Sequence, residues 1–166
     1  MIRLILSFAS LILLFCDVVA EPMAPDTPGL KIGVDAPALK LEKWLKGEAV
    51  TAFAKDKVYL VECWATWCGP CVAQIPHLND LHHKFKDQGL IVIGVNVMGD
   101  PEEKAAAFVA RKGDKMSYRV AYDGKSGDVE KHWLKAAGVR GIPHSFLVRE
   151  GKVIWHGHPG ELTEEA

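Results

Sequence analysis

The apolar positions of this chain change rhythm several times, and each change marks an element. "KVYLVECWA", Lys57 to Ala65, is a short run rich in β-branched and aromatic residues, with the composition and length of a buried strand. Beyond it Ile75, Leu78, Leu81 and Phe85 recur at helical spacing and Gly89 supplies a stop, so a helix with one apolar face is expected there. "LIVIGVNV", Leu90 to Val97, is almost unbroken apolar sequence, as in a central strand covered on both faces. "DPEEKAAAFVARKG" offers Asp100 as N-cap, Pro101 at the first helical position and Glu103 three residues on, the opening of a second helix. A short strand near "SYRVAYD" follows, then a helix from about Asp128 to Ala137 that stops at Gly138. "HSFLVREGKVIWHGH" reads as a hairpin turning at Glu150 and Gly151. Strands alternating with helices and closing on a hairpin predict an α/β fold, a mixed central β-sheet with helices on both faces.

The two ends follow other rules. In "MIRLILSFASLILLFCDVVA" one charge, Arg3, precedes an apolar run from Leu4 to Phe15, and small residues follow up to Ala20. The run is shorter than the roughly 20 apolar residues that span a bilayer. Residues 1–20 therefore read as a signal peptide cleaved before Glu21, and the mature chain is expected in the periplasm or outside the cell. An uncleaved anchor and a lipoprotein signal at Cys16 compete with that reading, the second opposed by Phe15 where a small residue is wanted. Residues 21–29, with three prolines and a glycine, read as an extended linker. One domain, 30–166, follows, and its last residues, "LTEEA", look like the cap and first turn of a terminal helix cut short, with Thr163 as N-cap.

Composition adds little beyond this. With 166 residues, 49% hydrophobic and 25% charged, the chain suits one soluble domain with a proper core. A net charge of -1 gives no reason to expect nucleic acid or an anionic membrane surface as partner, and a monomer is expected. Cys16 would leave with the signal, so Cys63, Cys68 and Cys71 remain. One pair and one odd thiol do not make a disulfide framework.

The pair stands in "WCGPC", at the end of a strand and the start of a helix. A helix N-terminus favours a thiolate at Cys68. The difference is large: a free thiol of pKa ~8.5 is about 3% ionised at pH 7, and one near 7 is about half ionised. Gly69 and Pro70 fill the first turn, where proline's missing N–H costs nothing. Cys71, one turn further in, can close a ring with Cys68. A redox-active Cys68–Cys71 disulfide, with no other cofactor, is the first reading. Zinc would want four ligands, and neither a second cysteine pair nor a spaced histidine pair is present; a structural disulfide with so small a ring would constrain few residues. Trp67, at the exposed strand-to-helix turn, is placed to shape a substrate surface.

"YLVECWATWCGPCVAQIPHL" and, further on, "GVRGIPHSFLV" resemble the thioredoxin superfamily, in particular its exported TlpA-like (redoxin) thiol–disulfide oxidoreductases. The resemblance runs from Leu30 to Pro159. It implies a thioredoxin-like fold with a helix–strand insertion between Asp100 and Tyr122, before the half that carries the cis-proline. It makes Pro143 that cis-proline, lying against the dithiol, and Ile142 the residue that touches the cysteines. Together with Trp67, Gly69 and Pro70 these would form the substrate-binding surface. Pro76 matches the kink proline of the active-site helix, whose plainer reading is an early helix end. Glu62 stands where thioredoxin has a buried acid, and a desolvated carboxyl there could take the proton of Cys71; its plainer reading is a strand-end glutamate reaching solvent. Two positions depart from the family. His144 follows Pro143 in place of threonine, and either tunes the dithiol or points away along its strand. Cys63 replaces a core aromatic and reads as a small buried hydrophobe. His156 and His158 alternate along the last strand and would share a face, but without a third ligand no metal site is assigned.

The resemblance implies a disulfide reductase acting on disulfide-containing proteins, with Cys68 as nucleophile and Cys71 as resolver, recharged by a membrane electron donor. A peroxiredoxin-like thiol peroxidase shares the fold but wants threonine three residues before its cysteine, where this chain has Ala65. A copper-handling module is the third alternative. Gly69-Pro70 and Ile142 resemble the reducing thioredoxins, whereas an oxidising compartment favours the opposite direction of electron flow.

Overall fold

The computed structural model describes residues 29–163; the expected signal peptide, all but the last residue of the linker and the continuation of the chain after Thr163 lie outside the described residues. Six strands form one sheet in the order β1-β4-β3-β2-β5-β6: β1 (Lys43–Lys46), β2 (Val58–Trp64), β3 (Leu90–Asn96), β4 (Arg119–Tyr122), β5 (His144–Arg149) and β6 (Lys152–Gly157). The two apolar runs, β2 and β3, lie parallel in the middle, paired from Val58↔Leu90 to Trp64↔Asn96. β4 adds in parallel beside β3, and β5 and β6 add antiparallel on the other side. No apolar period announces β1: it is four residues with lysine at both ends, a bulged edge strand antiparallel to β4.

Alternation along the central strands sorts their side chains into two layers. Leu60 and Trp64 of β2 and Val92 of β3 pack with α1 (Gly69–Phe85) and α2 (Glu102–Lys112). Tyr59, Val61 and Cys63 of β2, with Ile93 and Val95 of β3, pack instead around Trp133 and Phe146. Burial on both faces is why these runs are continuous rather than alternating. The helix and strand expected between Asp100 and Tyr122 are α2 and β4.

Helix α1 buries Cys71, Ile75, Leu78 and Leu81 along one face, each large aliphatic side chain contributing ~1.5–3 kcal/mol. It passes through Pro76 and continues to Phe85, so Pro76 does not end it. A short 3₁₀ turn follows, and Gly89 stops the run at φ 98°, a conformation glycine adopts without penalty.

Two helices differ from expectation. Asp100 is not the N-cap of α2: Pro101, extended at φ -63° and ψ 138°, holds that position, and the Asp100 carboxylate faces back toward β3 and the loop after β2. The helix expected over Asp128 to Ala137 is widened over Glu130–Lys135, with amide bonds reaching five residues back, Ala136 to Lys131 and Val139 to Leu134. Gly138, at φ 73°, ends it as expected. The hairpin turns at Glu150 and Gly151, φ 53° and 75°, the two left-handed residues of a type I′ loop. The described chain closes with a 3₁₀ turn, Pro159–Glu161, and the buried Leu162. Among the described residues no helix is long and apolar enough to cross a membrane.

Candidate redox site

The chain leaves β2 through Ala65, Thr66 and Trp67 and enters α1 with Cys68 as its cap residue. The sulfur of Cys68 accepts the N–H of Cys71 at 3.2 Å. That is the bond an N-cap side chain makes, here to the atom that would carry negative charge after reduction. No acidic residue stands in the first turn of α1 to oppose such a charge. Cys68 and Cys71 are joined as a disulfide. Across the gap, the Ile142–Pro143 peptide is cis, and the carbonyl oxygen of Ile142 lies 3.7 Å from the Cys68 sulfur. The segment before β5 and the start of α1 thus meet at the disulfide. Trp67 is 57% exposed beside it, Gly69 and Pro70 are exposed, and a side chain added at Gly69 would meet no atom within 4 Å. Both cysteines are buried in the oxidised protein, Cys68 at 4% and Cys71 at 1% exposed.

Glu62 does not reach solvent. It is 1% exposed, and alternation places it with Leu60 and Trp64 on the face that carries α1. Its strand neighbours are Gly94 on β3 and Ser145 on β5. Burial pushes its pKa up from 4.5 to about 8, and a hydrogen bond from the Ser145 hydroxyl opposes that rise. The hydroxyl donates to Oε2, while Oε1 meets no hydrogen-bond partner among the described residues.

Sequence reasoning missed the group that holds the loop before the cysteines. Asp100, 2% exposed, accepts the Thr66 amide at 2.6 Å, the Thr66 hydroxyl at 2.8 Å and the Asn96 side-chain amide at 3.0 Å. It fastens the residue two before Cys68 to the end of β3. The available signal was an asparagine ending an apolar strand with an acid four residues on, a polar pair too close to the core to be solvated. Asp100→Ala leaves three donors without their acceptor, so we expect about 2 kcal/mol or more of lost stability in urea unfolding. An unchanged midpoint would mean that water replaces the carboxylate and the loop does not depend on it.

The remaining candidates lie elsewhere. His144 shares the opposite face of the sheet with Phe146: their rings are 5.1 Å apart, and its Nε2 is 3.1 Å from Nδ1 of His156. Burial and the neighbouring histidines pull its pKa down to about 4, so near neutral pH it is uncharged and directed away from the dithiol. His156 and His158 do not pair along one strand. His156 stacks on Phe146, and His158 lies beyond β6, where its Nδ1 accepts the Gly160 amide at 3.0 Å. Among the described residues no group of three His, Cys, Asp or Glu is placed to hold a metal. Cys63 is fully buried in the layer opposite α1, and desolvation pushes its thiol pKa well up.

Known proteins resemble this chain over most of its length. The Redoxin family model matches residues 31–166. FixW of Rhizobium leguminosarum is 30% identical over 135 residues, which are 77% of this chain and 61% of FixW. The thiol-disulfide oxidoreductase ResA of Halalkalibacterium halodurans is 32% identical over 122 residues, 73% of this chain and 65% of ResA. The chain therefore spans somewhat less than two thirds of either relative. Among solved structures, the thioredoxin domain of a thiol-disulfide oxidoreductase from Bacteroides vulgatus superposes with a TM-score of 0.63 at 30% identity, over 82% of this chain and 91% of that domain. The fold is thioredoxin-like.

Proposed function

The chain belongs to the redoxin family of the thioredoxin superfamily, and from that premise we propose that it is an exported thiol–disulfide oxidoreductase that reduces disulfides in other proteins. The observation that carries the reading is Cys68 capping α1, with its sulfur on the Cys71 amide and beside the Ile142 carbonyl. After reduction the same amide and the helix dipole favour the Cys68 thiolate. That thiolate attacks one sulfur of a substrate disulfide, and the other leaves as a thiolate and takes a proton. A mixed disulfide now joins Cys68 to the substrate. Cys71 gives its proton to the Glu62 carboxylate and attacks the Cys68 sulfur; the second substrate sulfur leaves as a thiolate and takes a proton from solvent, and Glu62 later gives its proton back to solvent. Two electrons have passed from the dithiol to the substrate, and the Cys68–Cys71 bond is restored. Trp67, Gly69, Pro70 and the Ile142–Pro143 edge form the surface on which an extended substrate segment lies. Recharging takes two electrons from a membrane donor.

Equilibration of the Cys68–Cys71 pair against defined thiol buffers tests the direction. A reductant is expected near the roughly -270 mV of thioredoxin, and a value near -120 mV would mark a disulfide-forming oxidant instead.

A further inference from the structure

Ser145 is a buried hydroxyl in an apolar setting. It is 0% exposed, paired across the sheet with Glu62, and followed on its face of β5 by Leu147. Alanine would fill the same place without a polar atom to desolvate. What the hydroxyl does there is donate to Glu62 Oε2, while Oε1 has no hydrogen-bond partner among the described residues. Ser145 is also two residues beyond Pro143, so one short strand joins the edge proposed for substrate to the buried acid.

We propose that Ser145 is a positioning residue for disulfide exchange: its hydroxyl holds Glu62 by Oε2, fixes the orientation of the carboxyl group, and leaves Oε1 as the oxygen that gains and loses the proton. The inference rests on the redox reading above, and it gives the cis-proline strand a second task beside substrate binding. Among the described residues, the titratable groups that feel the Glu62 charge are Tyr118, which precedes β4, and Cys63, the strand neighbour of Glu62. Burial pushes the Tyr118 phenol and the Cys63 thiol upward, so both stay neutral where Glu62 titrates. Cys63 and His144 belong to the opposite layer.

The test reads the carboxyl directly. Protein labelled with ¹³C at the glutamate carboxyl is titrated by NMR in the oxidised form, with Glu62→Gln assigning the signal. In Ser145→Ala the bond favouring the charged form is lost, so the Glu62 titration moves up by about one pH unit or more. Insulin-disulfide reduction at pH 7 falls about 10-fold, and Ser145→Thr, which keeps a hydroxyl, restores both. In a Glu62→Gln background Ser145→Ala causes no further loss of rate. An unmoved titration, a threonine variant that rescues nothing, or an equal loss of rate in the Glu62→Gln background each overturn the proposal and leave Ser145 a packing residue. The titration needs no turnover, so the two readings fail separately. An active protein whose titration does not move loses only the role of Ser145. A protein that never reduces a disulfide, whatever its titration, loses the redox reading and the positioning role with it.

Discussion

Cys68→Ser is expected to bring insulin-disulfide reduction down to the uncatalysed rate while the protein stays folded. Both halves follow from one position. The residue caps α1, and its sulfur accepts the Cys71 amide. Serine is among the preferred cap residues, so its hydroxyl keeps that bond and the helix start is preserved. Losing the four-residue disulfide ring costs at most about 2 kcal/mol on the loop-entropy view, too little to unfold a domain with two buried layers. The chemistry has no such substitute. A hydroxyl gives no useful anion at pH 7, and Cys71 sits one turn inside α1, away from the cap position that favours a thiolate. Cys71→Ser should behave differently. Cys68 still attacks, but nothing resolves the adduct, so a mixed disulfide with the substrate accumulates and shows in a non-reducing gel until thiol is added. Reduction surviving in Cys68→Ser would move the nucleophile elsewhere and sink the mechanism.

What the sequence revealed and what it concealed divide on a physical line. Elements that form because their own residues demand burial were readable: β2 and β3 from unbroken apolar runs, α1 from the spacing of Ile75, Leu78, Leu81 and Phe85. The dithiol was readable because spacing, strand end and helix start are all local. Elements that depend on a distant partner were not. β1 exists because β4 offers it an edge, and "KWLK" carries no period of its own. Asp100 is the instructive failure. Locally it has every mark of a helix cap, but Thr66, 34 residues away, and Asn96 supply three donors inside the fold, and Pro101 can occupy the cap position because it has no N–H to satisfy. Glu62 lies between these cases. Its place before Cys63 and Trp64 suggested a buried acid, whereas the hydroxyl that holds it sits on β5 and becomes a neighbour only through the pairing of Glu62 with Ser145. His144 was legible for the same reason that Ser145 was not: of its two readings, the one that follows from alternation along its own strand, pointing away from the sulfurs, is the one observed.

Glu62→Gln should make the oxidised protein more stable, and increasingly so as pH rises. The carboxyl's pKa in the fold is about 8 against 4.5 for the ordinary group. The native state therefore holds this proton more tightly than the unfolded chain does. Stability from this source is fully present below about pH 4.5 and is lost as pH rises through the folded value near 8. At 1.36 kcal/mol per pH unit, the wild type gives up about 4 kcal/mol between those limits through this residue. Gln has nearly the same shape, can still accept from Ser145, and does not titrate. Denaturant unfolding of both proteins at pH 5 and pH 8 cancels every other titrating group, because those are common to the pair. The difference should be small at pH 5 and several kcal/mol in favour of the variant at pH 8. A constant difference would mean that Glu62 ionises in the fold as it does in water, and its part in resolving the mixed disulfide would fall with it. A growing difference identifies a group that weakens the fold near the pH at which it must accept a proton. That is the trade expected of a residue kept for chemistry rather than packing, and the same substitution should then slow turnover where it stabilises the protein.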